Sequence, residues 1–231
     1  MTTPRPVKGT KLVGVIASPA DFRFALRMQH APDLFELRLD YLGDILAQLE
    51  RKMSILPAPI IITARDPREG GIGNLSLSER RELLSRFLPH AKYVDVELRS
   101  ARAFEPLLAE ARKRHVGVIL SFHDFRSTPP SRSLRAKAAR AKKHEADIFK
   151  VATRTEKLAD LARLADFIAS PSLALPISAM GIGKLGAVSR LLLARAGSAL
   201  NYGSLREANV EGQLPLDVLR SASNAQARHR S

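Results

Sequence analysis

The chain has 231 residues, with 37 Lys and Arg against 23 Asp and Glu, so its formal net charge is +14. It has no cysteine, which excludes a disulfide framework, a thiolate metal site and a cysteine nucleophile. Hydrophobic residues make up 45% of the chain, a share typical of a globular protein with a core and too high for a disordered one. The basic excess leaves two interpretations: a protein that binds nucleic acid, or one that attracts a small anion.

No targeting or membrane segment is expected. Residues 1–11 contain two prolines and three basic residues but no apolar run, unlike a signal peptide. The apolar runs elsewhere are far shorter than the ~18 residues of a membrane-spanning helix. We therefore expect a cytoplasmic protein without a membrane partner.

Eight short runs rich in apolar and β-branched residues recur along the chain. Some alternate with polar residues and some are continuous, which is typical of strands buried on both faces by crossover helices. The runs are Lys11–Ser18, Leu34–Leu42, Pro59–Arg65, Tyr93–Leu98, Val116–Phe122, Asp147–Ala152, Leu173–Met180 and Ala199–Gly203.

Amphipathic stretches lie between these runs. Ser76–Leu88 begins with a residue suited to cap a helix, and Glu79 follows Ser76 at the spacing of a capping box. Glu105–Arg114 and Lys157–Ala169 are two further examples. Strands that alternate with helices of this length indicate βαβ units and a parallel sheet.

The number of predicted strands favours one fold. Eight strand–helix units in 231 residues are about 29 residues each, close to the roughly 30 residues of a βαβ unit. The sequence therefore predicts a single α/β domain, a (β/α)8 TIM barrel, in preference to an open doubly wound sheet. We assign the barrel to residues 1–220 and expect residues 221–231 to form a basic, disordered tail.

Polar side chains collect where the predicted strands end, which is where barrels of this kind carry catalytic and binding groups. They are Glu36, Arg38, Arg65, Glu69, Glu97, His123, Asp124, Lys150, Arg190 and Gln213. Several also have a structural interpretation. Glu36 and Arg38 share one strand face and are equally consistent with an ion pair. Glu97 is consistent with a partner for a neighbouring cation inside the barrel.

Lys150 is the hardest of these residues to explain structurally. It lies between Phe149 and Val151, where a charged side chain must be desolvated unless it is paired. A desolvated lysine amine can attack a carbonyl carbon and form a Schiff base. His123, one predicted strand earlier, is suited to act as general acid and base, although a lone histidine is more often a hydrogen-bonded core residue.

One glycine motif points to a different function. Gly181–Gly186 matches G-x-G-x-x-G between a predicted strand and a helix, as in a dinucleotide site. It follows the seventh predicted strand, however, and the remaining chain is too short for half of a Rossmann fold. A phosphate-binding P-loop is excluded because Lys184 is followed by Leu185 and not by Ser or Thr.

Taken in order, the strand-end motifs resemble those of type I 3-dehydroquinate dehydratases, the Schiff-base enzymes of the shikimate pathway in aromatic amino acid biosynthesis. The resemblance runs from about the first strand to Pro215, nearly the whole chain. The matching stretches are Glu36–Asp40, Thr63–Arg65, Glu69–Gly71, Asp95–Glu97, Ser121–Phe125 with Thr128-Pro129, Asp147–Ala152, Met180-Gly181, Ser189-Arg190, Tyr202–Ser204 and Gly212–Pro215.

This resemblance implies a lyase, commonly a homodimer, that uses no metal and no organic cofactor. It implies that Lys150 forms an imine with the ketone of 3-dehydroquinate, and that His123 removes a proton and later protonates the departing hydroxyl. Glu69 would orient His123, and the product would be 3-dehydroshikimate.

The same resemblance implies the substrate contacts. Arg190 would bind the carboxylate with help from Gln213, and cations would surround Lys150. Glu36, Arg38 and Arg65 would hold the ring hydroxyls and the closing loop. Asn209 stands where many members of the family have Ser or Thr. The spacing from Met180 to Arg190 is about two residues longer than the commonest form.

The basic excess does not favour nucleic-acid binding as the main function. The densest basic run, Ser131–Glu145, has an apolar stripe of Leu134, Ala138 and Ala141, typical of an outer barrel helix with a solvated face. Only 5% of the chain is aromatic and it has no Trp to stack on bases. The main alternative is another Schiff-base, class I aldolase-type barrel enzyme, since many barrels use a lysine on the sixth strand.

Overall fold

The computed structural model describes residues 9–170 and 175–228, in which eight β-strands and eight α-helices alternate. The strands are β1 Lys11–Ile16, β2 Leu34–Arg38, β3 Ile60–Thr63, β4 Tyr93–Glu97, β5 Gly117–Asp124, β6 Ile148–Arg154, β7 Ile177–Ile182 and β8 Leu200–Ser204. The helices are α1 Pro19–Ala25, α2 Leu46–Lys52, α3 Leu77–Phe87, α4 Glu105–Lys113, α5 Ser131–Lys143, α6 Leu158–Ile168, α7 Gly186–Arg195 and α8 Leu216–Arg228.

The strands form one parallel sheet in the order β7-β6-β5-β4-β3-β2-β1-β8. The two outermost strands meet, because the backbone N–H of Ala199 donates to the carbonyl of Ile177 at 2.7 Å. The Ser178 hydroxyl also donates to the carbonyl of Leu200 at 3.0 Å. The sheet thus curves into a nearly closed barrel, and the predicted (β/α)8 fold is confirmed.

Alternation along the strands divides the apolar side chains into two layers. Leu37 of β2 belongs to the larger cluster between the sheet and the helices, whereas its neighbours Glu36 and Arg38 line the inside of the barrel. A second cluster fills the barrel interior. Its members include Val13, Val15, Ile61, Ile119, Ile148, Met180 and Tyr202. The interior is therefore a packed core that supports a polar end, not an open pore.

Local sequence signals place the helices. The Ser76 hydroxyl accepts from the Glu79 N–H at 3.2 Å and the Glu79 carboxylate accepts from the Ser76 N–H at 2.8 Å, so the predicted capping box begins α3. In α5, Leu134, Ala138 and Ala141 are buried, as the apolar stripe predicts. Among the described residues, no helix is long and apolar enough to span a membrane.

Most strands begin or end a few residues from the predicted positions, and two differences in element boundaries affect the site and the tail. β5 continues to Asp124, which puts His123 inside a strand and not just after it. α8 continues to Arg228, so residues 221–228 are helical where a disordered tail is predicted; Leu216 and Leu219 anchor this helix against Leu12. Residues 173–174 of the predicted seventh strand and residues 229–231 of the predicted tail lie outside the described residues.

Candidate active site

All nine side chains predicted for the site line one cavity of about 240 Å³ at the carboxyl ends of the strands. They are Glu36, Arg38, Arg65, Glu69, His123, Lys150, Arg190, Asn209 and Gln213. Apolar side chains, among them Met180, Ile182 and Phe125, complete the wall. A concave cavity in which polar groups converge between apolar side chains is the usual form of a site for a small molecule.

Lys150 lies on β6, lines this cavity and is only 4% exposed. Its Nζ lies 3.0 Å from Glu36 Oε1 and 3.0 Å from Asp95 Oδ2. The expectation that cations surround Lys150 is therefore wrong for its direct contacts, which are two carboxylates. This pairing balances the charge of a lysine that the fold holds away from water.

Arg65 shares the carboxylate of Asp95 with Lys150. Its Nη1 and Nη2 donate to the two carboxylate oxygens of Asp95 at 3.1 and 3.0 Å, and Nη1 also donates to Ser121 Oγ at 2.6 Å. Burial alone would lower the pKa of Arg65, but Asp95 and Glu97 raise it well above its usual value. Burial would raise the pKa of Asp95, and Arg65 and Lys150 instead hold it well below its usual range. Arg65 thus stays charged and is bound to protein carboxylates.

Glu97 connects the barrel interior to helix α3. Its Oε1 accepts from Arg65 Nη1 at 3.0 Å and from the Asp66 N–H at 2.9 Å, and its Oε2 accepts from Arg80 Nη2. The interpretation of Glu97 as a partner for an interior cation is confirmed. Arg80, 2% exposed, also donates to the carbonyl of Ala64 at 2.8 Å. Together these contacts fix the backbone that follows β3.

That backbone carries Glu69, whose N–H donates to the carbonyl of Asp66 at 2.8 Å. Glu69 Oε2 accepts from the backbone N–H of His123 at 2.9 Å and lies 3.2 Å from His123 Nδ1. Burial raises the pKa of Glu69 to about 7. Burial, with Arg65 and Lys150, lowers the pKa of His123 well below its usual value. The imidazole is therefore neutral at neutral pH, and an ionised Glu69 selects the tautomer with its proton on Nδ1.

Arg190 on α7 also lines the cavity. Its Nη1 donates to the carbonyls of Gly181, Gly186 and Gly212 at 2.8, 3.1 and 2.8 Å, and its Nε donates to that of Tyr202 at 3.3 Å. None of the described acidic side chains forms an ion pair with it, and burial lowers its pKa to about 10. A buried guanidinium held by carbonyls alone keeps a charge that a carboxylate ligand can balance.

The segment between β8 and α8 supplies Asn209 and Gln213. The Asn209 N–H donates to Gln213 Oε1 at 2.7 Å, which leaves the amide nitrogen of Gln213 as its free donor group. The turn after β7 holds this segment in place, because the Gly183 N–H donates to the carbonyl of Glu211 at 3.0 Å. Arg154 Nη1 also lies 3.0 Å from Glu211 Oε2.

This packing explains the glycine motif. A Cβ on Gly186 would lie 2.9 Å from the Cα of Gly212, and Gly183 has a φ of +94°, in the region that favours glycine. The glycines therefore allow the turn after β7 to approach the segment between β8 and α8 closely. This is consistent with a turn before Arg190 that is longer than the commonest form in the family.

Arg38 lines the cavity, and its hydrogen bonds are to the loops that follow β2 and β3. Its Nε and Nη2 donate to the carboxylate of Asp40 at 3.0 and 2.7 Å, and Nη2 donates to the carbonyl of Gly70 at 3.2 Å. The interpretation of Glu36 and Arg38 as one ion pair is therefore wrong, since Arg38 pairs with Asp40 and Glu36 with Lys150.

Residues 22–229 match the model of the type I 3-dehydroquinase family. The chain belongs to the type I 3-dehydroquinase family. It is 34% identical to the 3-dehydroquinate dehydratase of Shouchella clausii, over 95% of this chain and 91% of that protein. It is 35% identical to that of Aromatoleum aromaticum, over 82% and 78% of the two chains. The 3-dehydroquinate dehydratase structure from Geobacillus kaustophilus superposes with a TM-score of 0.86 at 27% identity, covering 95% and 92%.

Membership of the type I 3-dehydroquinase family confirms the resemblance drawn from the ordered motifs. Sequence reasoning missed two buried charged residues of the site, however. Asp95 lies in one of the matching stretches but is not among the predicted site residues. Its alternation with Glu97 on one strand was a signal that both side chains face inward. Arg80 gave no such signal, because a basic residue on an amphipathic helix is ordinarily solvated.

Proposed function

We propose that this protein dehydrates 3-dehydroquinate to 3-dehydroshikimate through a Schiff base at Lys150. The substrate is the one named for its relatives. The observation that carries the mechanism is the position of Lys150 Nζ, 3.0 Å from two carboxylates, in a cavity that also holds His123 and Arg190. No other described lysine lines this cavity.

Substrate binding begins at Arg190. The substrate carboxylate supplies the negative charge that this guanidinium lacks among the described side chains. The Nη2 group of Arg190, which donates to no described residue, is free to bind it. Gln213 and Asn209, which are hydrogen-bonded to each other, lie on the loop that Arg190 also holds through the carbonyl of Gly212. Binding of the carboxylate therefore orients the substrate ring between this loop and Lys150.

Imine formation uses the carboxylates around Lys150. Nζ transfers a proton to a carboxylate partner and attacks the ketone carbon, so that a C–N bond forms and the carbonyl oxygen leaves as water. The resulting protonated imine carries a positive charge beside Glu36 and Asp95. This charge draws electrons from the neighbouring carbon and makes its proton acidic.

Elimination uses His123. With its Nδ1 proton held by Glu69, the ring accepts the carbon-bound proton at Nε2. The imidazolium then protonates the hydroxyl on the next carbon, the C–O bond breaks and water leaves. Water then hydrolyses the imine and restores Lys150. Imine formation and elimination each release one water and hydrolysis consumes one, so the substrate loses one water overall.

The direct test is to add 3-dehydroquinate and follow the ultraviolet absorbance of the conjugated product. Borohydride added during turnover should reduce the imine and attach the carbon skeleton of the ligand to Lys150, as read by peptide mass spectrometry. Lys150→Met should abolish both results while the protein still melts cooperatively. A label on another lysine, or turnover by a folded Lys150→Met variant, would contradict the mechanism. Release of a smaller carbon fragment would instead indicate an aldolase.

We further propose that the protein acts as a homodimer in the cytoplasm and on a small anion, without nucleic acid. The dimer follows from the family resemblance. The basic residues of α5 share their helix with a buried apolar stripe, as expected of a solvated outer face. Light scattering at several protein concentrations tests the dimer, and titration with duplex DNA at physiological salt tests the last point.

A further inference from the structure

Tyr202 is part of the cavity wall that the proposed steps leave unused. It lies on β8 and is 3% exposed, and the centre of its ring lies 4.1 Å from Lys150 Nζ. The hydroxyl of Tyr202 is buried and makes no hydrogen bond to any described residue. What Tyr202 presents to Lys150 is therefore its aromatic face, and not its hydroxyl.

We propose that the ring of Tyr202 is a further catalytic group, which stabilises the positive charge on the Lys150 nitrogen while this nitrogen belongs to the protonated imine. The inference rests on the imine proposed above. The negative face of an aromatic ring attracts a cation within about 6 Å of its centre, and the attraction is strongest where water is excluded. The ring of Tyr202 meets both conditions.

The number of N–H donors explains why the ring matters during the reaction. As an ammonium, Lys150 Nζ has three N–H donors and uses two of them on Glu36 and Asp95. In the protonated imine the nitrogen is bonded to Cε and to the substrate carbon, so one N–H remains. At most one of the two carboxylates then keeps its hydrogen bond. The attraction to a ring face needs no N–H and therefore persists.

Packing holds the ring at this position. Tyr202 pairs with Val13 of β1 in the parallel ladder, and its side chain belongs to the apolar cluster that fills the barrel. Its backbone carbonyl accepts from Arg190 Nε at 3.3 Å, so β8 is tied to the residue that binds the substrate carboxylate. Burial, with Glu36 and Asp95, raises the pKa of the Tyr202 hydroxyl well above its usual value, so the phenol stays neutral.

The hydroxyl supplies a matched control. Tyr202→Phe keeps the ring and breaks no hydrogen bond to a described residue, so it is the reference variant against which loss of the aromatic face is measured. Tyr202→Leu removes the aromatic face and should lower kcat about 3- to 30-fold, with a smaller change in KM. Because leucine also changes the packing, the decisive comparison retains the ring.

That comparison replaces Tyr202 with phenylalanine carrying no, one, two or three fluorine atoms, introduced by nonsense suppression. Fluorine withdraws electron density from the ring face with little change in size. We expect the logarithm of kcat, and the amount of adduct that borohydride traps at Lys150, to fall stepwise along the series. The same series at Phe22, which is fully buried on α1 outside the cavity, should leave both unchanged.

The possible failures differ. A flat series at position 202, in a protein whose Lys150 adduct is trapped normally, would overturn the role of Tyr202 and leave the proposed function intact. An equal slope at Phe22 would show a packing effect and would also overturn it. Absence of any adduct in the unmodified protein, with the dehydratase activity present, would overturn the imine mechanism together with this inference.

Discussion

Glu69 follows β3, His123 lies near the end of β5, and the two residues make two contacts. One carboxylate oxygen of Glu69 accepts the backbone N–H of His123 at 2.9 Å and lies 3.2 Å from its Nδ1. The pKa of Glu69 is raised to about 7, mainly by burial, while burial lowers that of His123 well below its usual value. In this pair the carboxyl group, and not the imidazole, changes its charge near neutral pH.

This relationship predicts the acid side of the pH profile. Below about pH 7 Glu69 becomes protonated and no longer accepts the Nδ1 proton of His123, so the ring loses the tautomer that acts as a base. We expect kcat/KM to fall as the pH drops through about 7. Glu69→Gln should lower kcat by about 10- to 100-fold and remove this transition. An acid transition that persists unmoved in Glu69→Gln would assign it to another group.

Glu69 also predicts a pH dependence of stability, opposite in direction to the pH dependence of activity. The pKa of Glu69 rises from 4.5 to about 7 on folding, so between these values the unfolded chain ionises while the folded protein keeps its proton. Stability is therefore lost as the pH rises through this window. Glu69→Gln removes the penalty and should stabilise the fold at pH 8 by up to ~3 kcal/mol relative to its effect at pH 4.5. Urea unfolding at both pH values measures the difference; equal effects at both would contradict the prediction.

Arg190 predicts a binding effect. Arg190→Lys keeps a cation but loses the planar fork and several carbonyl contacts, so KM should rise about 10- to 100-fold with a smaller change in kcat. Arg163→Lys is the matched control, since Arg163 lies on the exposed side of α6. A large loss of kcat at unchanged KM would show that Arg190 does not bind the substrate in its ground state.

Arg80 and Arg86 on α3 predict two different stability effects. Arg80 is buried, contacts Glu97 and lies 3.2 Å from Asp66, so Arg80→Met leaves the buried Oε2 of Glu97 without its cation and should cost about 3–5 kcal/mol. Arg86 pairs with Glu50 on the surface, and Arg86→Met should change stability much less. Urea unfolding of the two variants gives the comparison, and similar losses in both would contradict the buried role of Arg80.

The two arginines also show where sequence reasoning ends. The alternation of Glu36, Leu37 and Arg38 predicts which side chains enter the barrel, because strand geometry is local. Arg80 and Arg86 look alike in the sequence, and only the packing of α3 over Glu97 buries one of them. The neighbours of Lys150 could not be predicted for the same reason, since Glu36 and Asp95 come from distant strands.

The tail shows a further limit of the sequence. Residues 221–228 lack the apolar run that would mark a core helix, which is why a disordered segment is predicted there. Leu216 and Leu219 pack against Leu12 of β1 and begin a helix, and helix formation then propagates at little cost. The residues that make 221–228 helical are thus Leu216 and Leu219 in the first turn of α8, which precede that segment in the sequence.

The contact between Arg154 and Glu211 predicts a salt-dependent effect on binding. Glu211 belongs to the segment that carries Asn209 and Gln213, and its carboxylate lies 3.0 Å from Arg154 at the end of β6. Both side chains are partly exposed, so the pair is screened by salt. Glu211→Gln should raise KM about 2- to 5-fold at low ionic strength, and by less at high ionic strength.

Two further variants decide whether this effect belongs to the pair. Arg154→Gln combined with Glu211→Gln should raise KM no more than either change alone, since each removes the same interaction. Glu110 on α4 does not line the cavity, and Glu110→Gln removes its surface ion pair with Arg114, so this variant should leave KM unchanged at every salt concentration. Additive effects in the double variant would show that Glu211 acts on the binding loop without Arg154.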